Sequence, residues 1–179
     1  IRRAVEKAHA LSRGERGAKG RHDELVAHLA AGRPELARAE VEGAMARWSH
    51  HGFNMQHIYE LLALGRIDLY SERPLDARAR VRARWSALTR SFILRFQFVR
   101  VEVHHLRASA TLAAAAAAKG RDARLFQTLM AEAEKDARLV SGEDAAWARP
   151  LGCALRASLA SLRGERRAAL GLLEEAGRG

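Results

Sequence analysis

The side chains able to do chemistry here are eight histidines, one cysteine and the carboxylates. A helical zinc site needs ligands three or four residues apart, with a further ligand brought in by the fold. His9, His22, His28, His50, His51, His57, His104 and His105 contain no pair at that spacing. His104 and His105 are adjacent, so on a helix they point about 100° apart and cannot share an ion. Cys153 stands alone, which rules out an internal disulfide and suits a reducing compartment. The sequence predicts no metal site and no cofactor, with His105 in a core and His104 on a polar stripe.

The string GERGAKG at Gly14–Gly20 has the composition of a phosphate loop but not its order. A Walker loop places Gly-Lys-Ser/Thr after a glycine and four residues, so that amides cradle phosphate and the hydroxyl meets Mg²⁺. Here Lys19 follows Ala18 and precedes Gly20, and a flexible loop is the expectation. Glu132, Asp136 and Glu143 read as one charged face shared with Lys135 and Arg138. Asp68 reads as a structural acid bound by a neighbouring helix, because Arg66, two residues away, lies on another face. No nucleophile elbow occurs. This segment is therefore expected to be non-catalytic.

The elements that would position these residues are helical. Three prolines in 179 residues, with abundant alanine, leucine and arginine, favour helix. Counting from Gly164, offsets of five, nine and twelve reach Ala169, Leu173 and Ala176. From Gly32 they reach Ala37, Val41 and Ala44; from Glu72, Ala77, Val81 and Arg84. From Gly120 one inserted residue is needed, giving Phe126, Met130 and Ala133. Spacing of four then three keeps one helix face, and the glycine or Glu72 falls in the turn before it. PELARAEVEGAMARWS (34–49) and PLDARARVRARWS (74–86) echo each other, each with proline at the first helical position. The unit is a helix–turn–helix of about 40 to 48 residues. Trp48 and Trp85 recur in it and, with Trp147, are expected to wedge between helices.

The expected helices cover 22–31, 34–50, 53–70, 74–90, 91–119, 121–140, 144–163 and 165–177. The helix at 91–119 carries two apolar seams, one of Phe92, Phe96, Val99, Val103, Leu106 and Ala110, the other of Leu94, Phe98, Val101, His105, Ala108 and Leu112. Two seams imply packing on two sides. Gln97, Arg100, His104 and Arg107 form a third stripe, expected to face solvent or a partner. No stretch alternates with period two, so no sheet is expected.

The phrases ARWSHHGFNMQHIYELLALGRIDLYSERP, RWSALTRSFILRFQFVRVEVHHLRASATLAAAA and WARPLGCALRASLASLRGERRAALGLLEEA resemble the tetratricopeptide-like tail of large bacterial multidomain serine/threonine protein kinases. In that family a kinase domain, often with an AAA-type ATPase module, precedes helical repeats. The resemblance covers about 22–177 and implies a TPR-like α-solenoid of antiparallel helix pairs in its long-helix variant. It implies a regulatory or partner-binding role in bacterial signalling. No kinase motif is present, so no catalytic residue is carried over. The expected division is a helix end with a Gly-rich loop at 1–21, then a repeat array of about four helix pairs at 22–179. The opening residue, Ile1, reads as the start of a fragment.

Charge suggests where a partner would sit. The net charge is +10, carried by 27 arginines and 4 lysines, and Arg73–Arg107 holds nine arginines against Asp76 and Glu102. A coding bias toward arginine would give the same surplus without a partner. The candidate basic face comprises Arg78, Arg82, Arg95, Arg100, His104 and Arg107. It suits a protein, an acidic peptide or another domain of the parent chain. The alternative is a nucleic-acid-binding repeat using residues 73–107, disfavoured by the lack of a spaced reading code. The uncharged, alanine-rich run Ala108–Ala118 is too short to span a bilayer, and a cytoplasmic, membrane-free location is expected.

Overall fold

A computed structural model describes residues 25–46 and 52–178, and all regular structure in them is helical. Residues 25–30 are helical and lead into α1 (Pro34–Ala46). There follow α2 (Met55–Tyr70), α3 (Pro74–Arg90), a 3-10 turn (Phe92–Arg95), α4 (Gln97–Ala118), α5 (Ala123–Ser141), α6 (Ala148–Arg163) and α7 (Arg166–Gly177). The expectations for 1–21, including GERGAKG, and for Trp48 lie outside the described residues.

Three of the four repeat turns share one backbone solution. Gly32, Glu72 and Gly164 have φ of +67°, +56° and +85°. In each, the next residue donates five positions back and the turn residue three back: Arg33 to His28, Arg73 to Asp68, and Glu165 to Ala160, at 2.8 to 2.9 Å. This pairing closes the last helical carbonyls as a Schellman motif. Glu72 is the one non-glycine with positive φ among the described residues. At Gly120, φ is +78° but Arg121 and Asp122 both donate to Ala118 instead. That is the turn where the repeat needed an inserted residue. Asp122 then caps α5 by accepting from the Leu125 amide at 2.9 Å.

The repeat offsets locate the inner face of each helix that follows. Ala37, Ala77 and Ala169 are all buried, and small side chains there let the preceding helix approach. Val81 and Met130 are buried, whereas Leu173 on α7 is half exposed. Each helix packs on the next in sequence, and α2, α4 and α6 also pack on one another in succession.

At the centre lies α4, about 33 Å long at 1.5 Å per residue. Val99, Val103 and Leu106 join Ile58, Leu61, Leu62, Val81 and Leu88 in one core. Val101, Ala108, Leu112 and Ala115 join Leu129, Met130, Ala133, Val140, Leu155 and Leu159 in another. From Val99 onward the aliphatic residues of the two expected seams therefore serve two cores, and each fully buried aliphatic side chain contributes about 1.5–3 kcal/mol.

The sequence expectation fails at the start of this element. Residues 91–119 are not one helix: Ser91 and Phe96, with ψ of 128° and 117°, break it on either side of the 3-10 turn. Ile93 and Leu94 turn inward, while Phe92 and Phe96, expected in one seam, and Phe98, expected in the other, face solvent at 75%, 64% and 46% exposure. Close approach also occurs where α6 crosses α5, since a Cβ on Gly152 would lie 3.1 Å from the Ser141 backbone.

Candidate interaction surfaces

The six residues of the basic face do not form one open surface. Arg107 lies over the Trp85 ring at 3.6 Å and donates through Nε to Asp136 Oδ2 at 2.6 Å and through its terminal nitrogen to Oδ1. His104 Nδ1 sits 2.8 Å from the same Oδ1, and its ring packs against Trp85 in a T-shaped pair. Arg100 clasps Glu143 through two nitrogens. Arg78 binds Glu132 on α5. Arg82 and Arg95 are exposed and pair with no carboxylate among the described residues.

Two histidine expectations reverse. His104 is buried and His105 is half-buried, because Arg100, His104 and Arg107 of the expected polar stripe face α5 and its following loop, and only Gln97 at its end is exposed. The expected charged face of Glu132, Asp136 and Glu143 is likewise three separate bridges, with Asp136 fully buried. Burial alone raises the Asp136 pKa, but the hydrogen bonds from His104 and Arg107 outweigh it and hold the carboxyl below its ordinary range. The hydrogen bond from Arg100 holds Glu143 low. Burial pushes His105 below its usual value.

Arginine–carboxylate pairs recur at most helix interfaces. Asp68, buried, accepts from Arg38 of α1 at 2.6 Å and Arg80 of α3 at 2.9 Å, as expected for an acid bound by neighbouring helices. Arg66 reaches Glu102 on α4. Arg163 joins α6 to Glu134 of α5, and Arg149 joins α6 to Glu175 of α7, both at 2.8 Å. Trp85 is half-buried beneath Arg107, whereas Trp147, expected as a wedge, is 44% exposed beside Phe98. No group of three or more His, Cys, Asp or Glu among the described residues is placed to hold a metal, and Cys153 is a buried free thiol.

Two open surfaces remain that sequence reasoning did not single out. A groove of about 910 Å³ runs between α4, α6 and α7. Leu112, Ala113 and Ala116 line it from α4, Ala154 and Ser158 from α6, and Leu170 and Leu173 from α7. His105 and Arg166 also line it, and no acidic side chain does. The alanine run of α4 was the available signal, because small side chains leave this space. The second surface is the exposed aromatic cluster around the 3-10 turn.

Comparison with known proteins gave no matching family model, no matching curated protein and no matching solved structure. Among the described residues no helix is long and apolar enough to cross a membrane.

Proposed function

We propose that this chain is a non-catalytic, TPR-like helical-repeat scaffold that binds a protein segment in the groove between α4, α6 and α7. The observation that carries the reading is that groove. It is open, mostly apolar, and built from three helices of two successive pairs. The positive-φ turns and the succession of α2, α4 and α6 support a repeat array in which each pair meets its neighbours. The resemblance to kinase tails supports a regulatory segment of a bacterial signalling protein. A partner helix or extended peptide with a few aliphatic side chains fits the volume and chemistry of the lining.

The test is a peptide-display selection on the purified chain, followed by calorimetry of the recovered sequences. Ala116→Trp and Ser158→Trp fill the groove from exposed positions, so the fold is retained. The selected peptides should bind one per chain and lose at least about tenfold in affinity to either variant. A selection without binders, or binders indifferent to both tryptophans, contradicts the reading.

A further inference from the structure

Four of the five exposed aromatic side chains among the described residues gather at one end of α4: Phe92, Phe96, Phe98 and Trp147. Phe98 and Trp147 are in ring contact, with centroids 6.0 Å apart. Exposed apolar rings grouped in this way mark an interaction site more often than rings scattered singly.

The display is held rigid from behind. Ile93 and Leu94 anchor the 3-10 turn in the core. Arg100 donates to the carbonyls of Leu94 and Arg95 at 3.1 and 3.4 Å, and Glu143 fixes Arg100. Gln97 donates to Glu143 and to the Asp144 carbonyl, tying down the loop that leads to Trp147. A backbone tied down in advance loses little freedom when a partner arrives. Arg100, expected to meet a partner directly, is here a positioning residue.

Charge identifies the occupant. The sequence holds no acidic residue between Asp76 and Glu102. Arg90 and Arg95 are exposed and meet no carboxylate among the described residues, and the Arg95 guanidinium lies 4.7 Å from the Phe92 centroid. Glu143 is neutralised by Arg100, which leaves Asp144 as the exposed acid at the rim. We propose that Phe92, Arg95, Phe96, Phe98 and Trp147 form a docking surface for a short acidic peptide segment. Its apolar side chains lie on the rings and its carboxylates meet Arg90 and Arg95. The surface shares no residue with the groove and stands independently of it. A peptide fits better than a nucleic acid, because Arg78, Arg84 and Arg100 are already paired. The two arginines beside the rings, Arg90 and Arg95, are too few to follow a phosphate backbone.

Fluorescence anisotropy tests this with a fluorescein-labelled peptide of about twelve residues built from Asp-Leu-Glu-Phe units. The controls are the same peptide with lysine for each acid and an oligothymidine of similar length. The acidic peptide should bind saturably, weaken with salt, and lose about tenfold in affinity to Phe96→Ala or Arg95→Glu. Ala116→Trp in the groove should leave it unchanged. Both edge substitutions are at exposed positions, and melting curves of all variants should coincide; Phe92→Ala serves should Phe96→Ala not fold. The proposal is overturned by no binding or by equal binding of the lysine peptide. It is overturned equally by a preference for oligothymidine, or by affinity retained in the edge variants but lost in Ala116→Trp.

Discussion

Asp136 accepts from both His104 and Arg107 in a site with almost no solvent, so those two donors hold its carboxylate charged. Asp136→Ala would leave a guanidinium and an imidazole without their acceptor. Loss of one partner from a buried pair costs about 3 kcal/mol, and urea unfolding should register a deficit of that order, with Asp136→Asn losing less. Acid acts on the same groups. Asp136 and Glu143 have folded pKa values below their unfolded ones, so they stabilise the fold above the ordinary carboxylate range and lose that as pH falls through it. His105 is also depressed, so below about 6.5 the unfolded chain takes up a proton that the folded chain resists. Urea midpoints should fall in two stages, a shallow one below about pH 6.5 and a steeper one below about pH 4. His105→Asn should remove the first stage, and Asp136→Asn with Glu143→Gln should blunt the second. At this scale Asp68 was legible, because a buried acid must find donors. The His104/His105 reversal was not: the alternation of apolar residues is equally satisfied when a polar stripe faces a buried carboxylate on another helix.

The helix turns were the most legible elements. A left-handed residue is needed to close each Schellman turn, so glycine marks the position and the repeat spacing exposes Glu72 as its substitute. Glu72→Gly removes the side-chain penalty at φ +56° and should stabilise the chain by about 1 kcal/mol, read as a raised melting temperature. Gly152→Ala should act oppositely, by about 1–3 kcal/mol, because its Cβ would press on the Ser141 backbone. The break at 91–96 had no such marker. No glycine or proline occurs between Pro74 and Gly120, and the turn is made by Ser91 and Phe96 in extended conformations open to any residue. The phenylalanines were assigned to a seam for that reason, and the aromatic display went unseen.

Over the whole molecule, the arginine surplus divides into a structural part and a free part. Within residues 73–107, Arg78, Arg80, Arg84, Arg100 and Arg107 bridge to carboxylates on neighbouring helices or the following loop, while Arg82, Arg90 and Arg95 meet no carboxylate among the described residues and remain for solvent or a partner. Composition reports the sum and cannot divide it, since the division depends on which carboxylates the fold brings across. Packing is also uneven along the chain. α4 is enclosed by α2, α3, α5 and α6, so its amides should exchange slowest with deuterium in the free protein. The same technique tests the central claim, that a partner occupies the face between α4, α6 and α7, when the chain is examined with a display-selected peptide bound. The account predicts new protection concentrated in 105–116 and 154–173. Protection confined to the outer residues of α1 and α3, with those two segments unchanged, would contradict it.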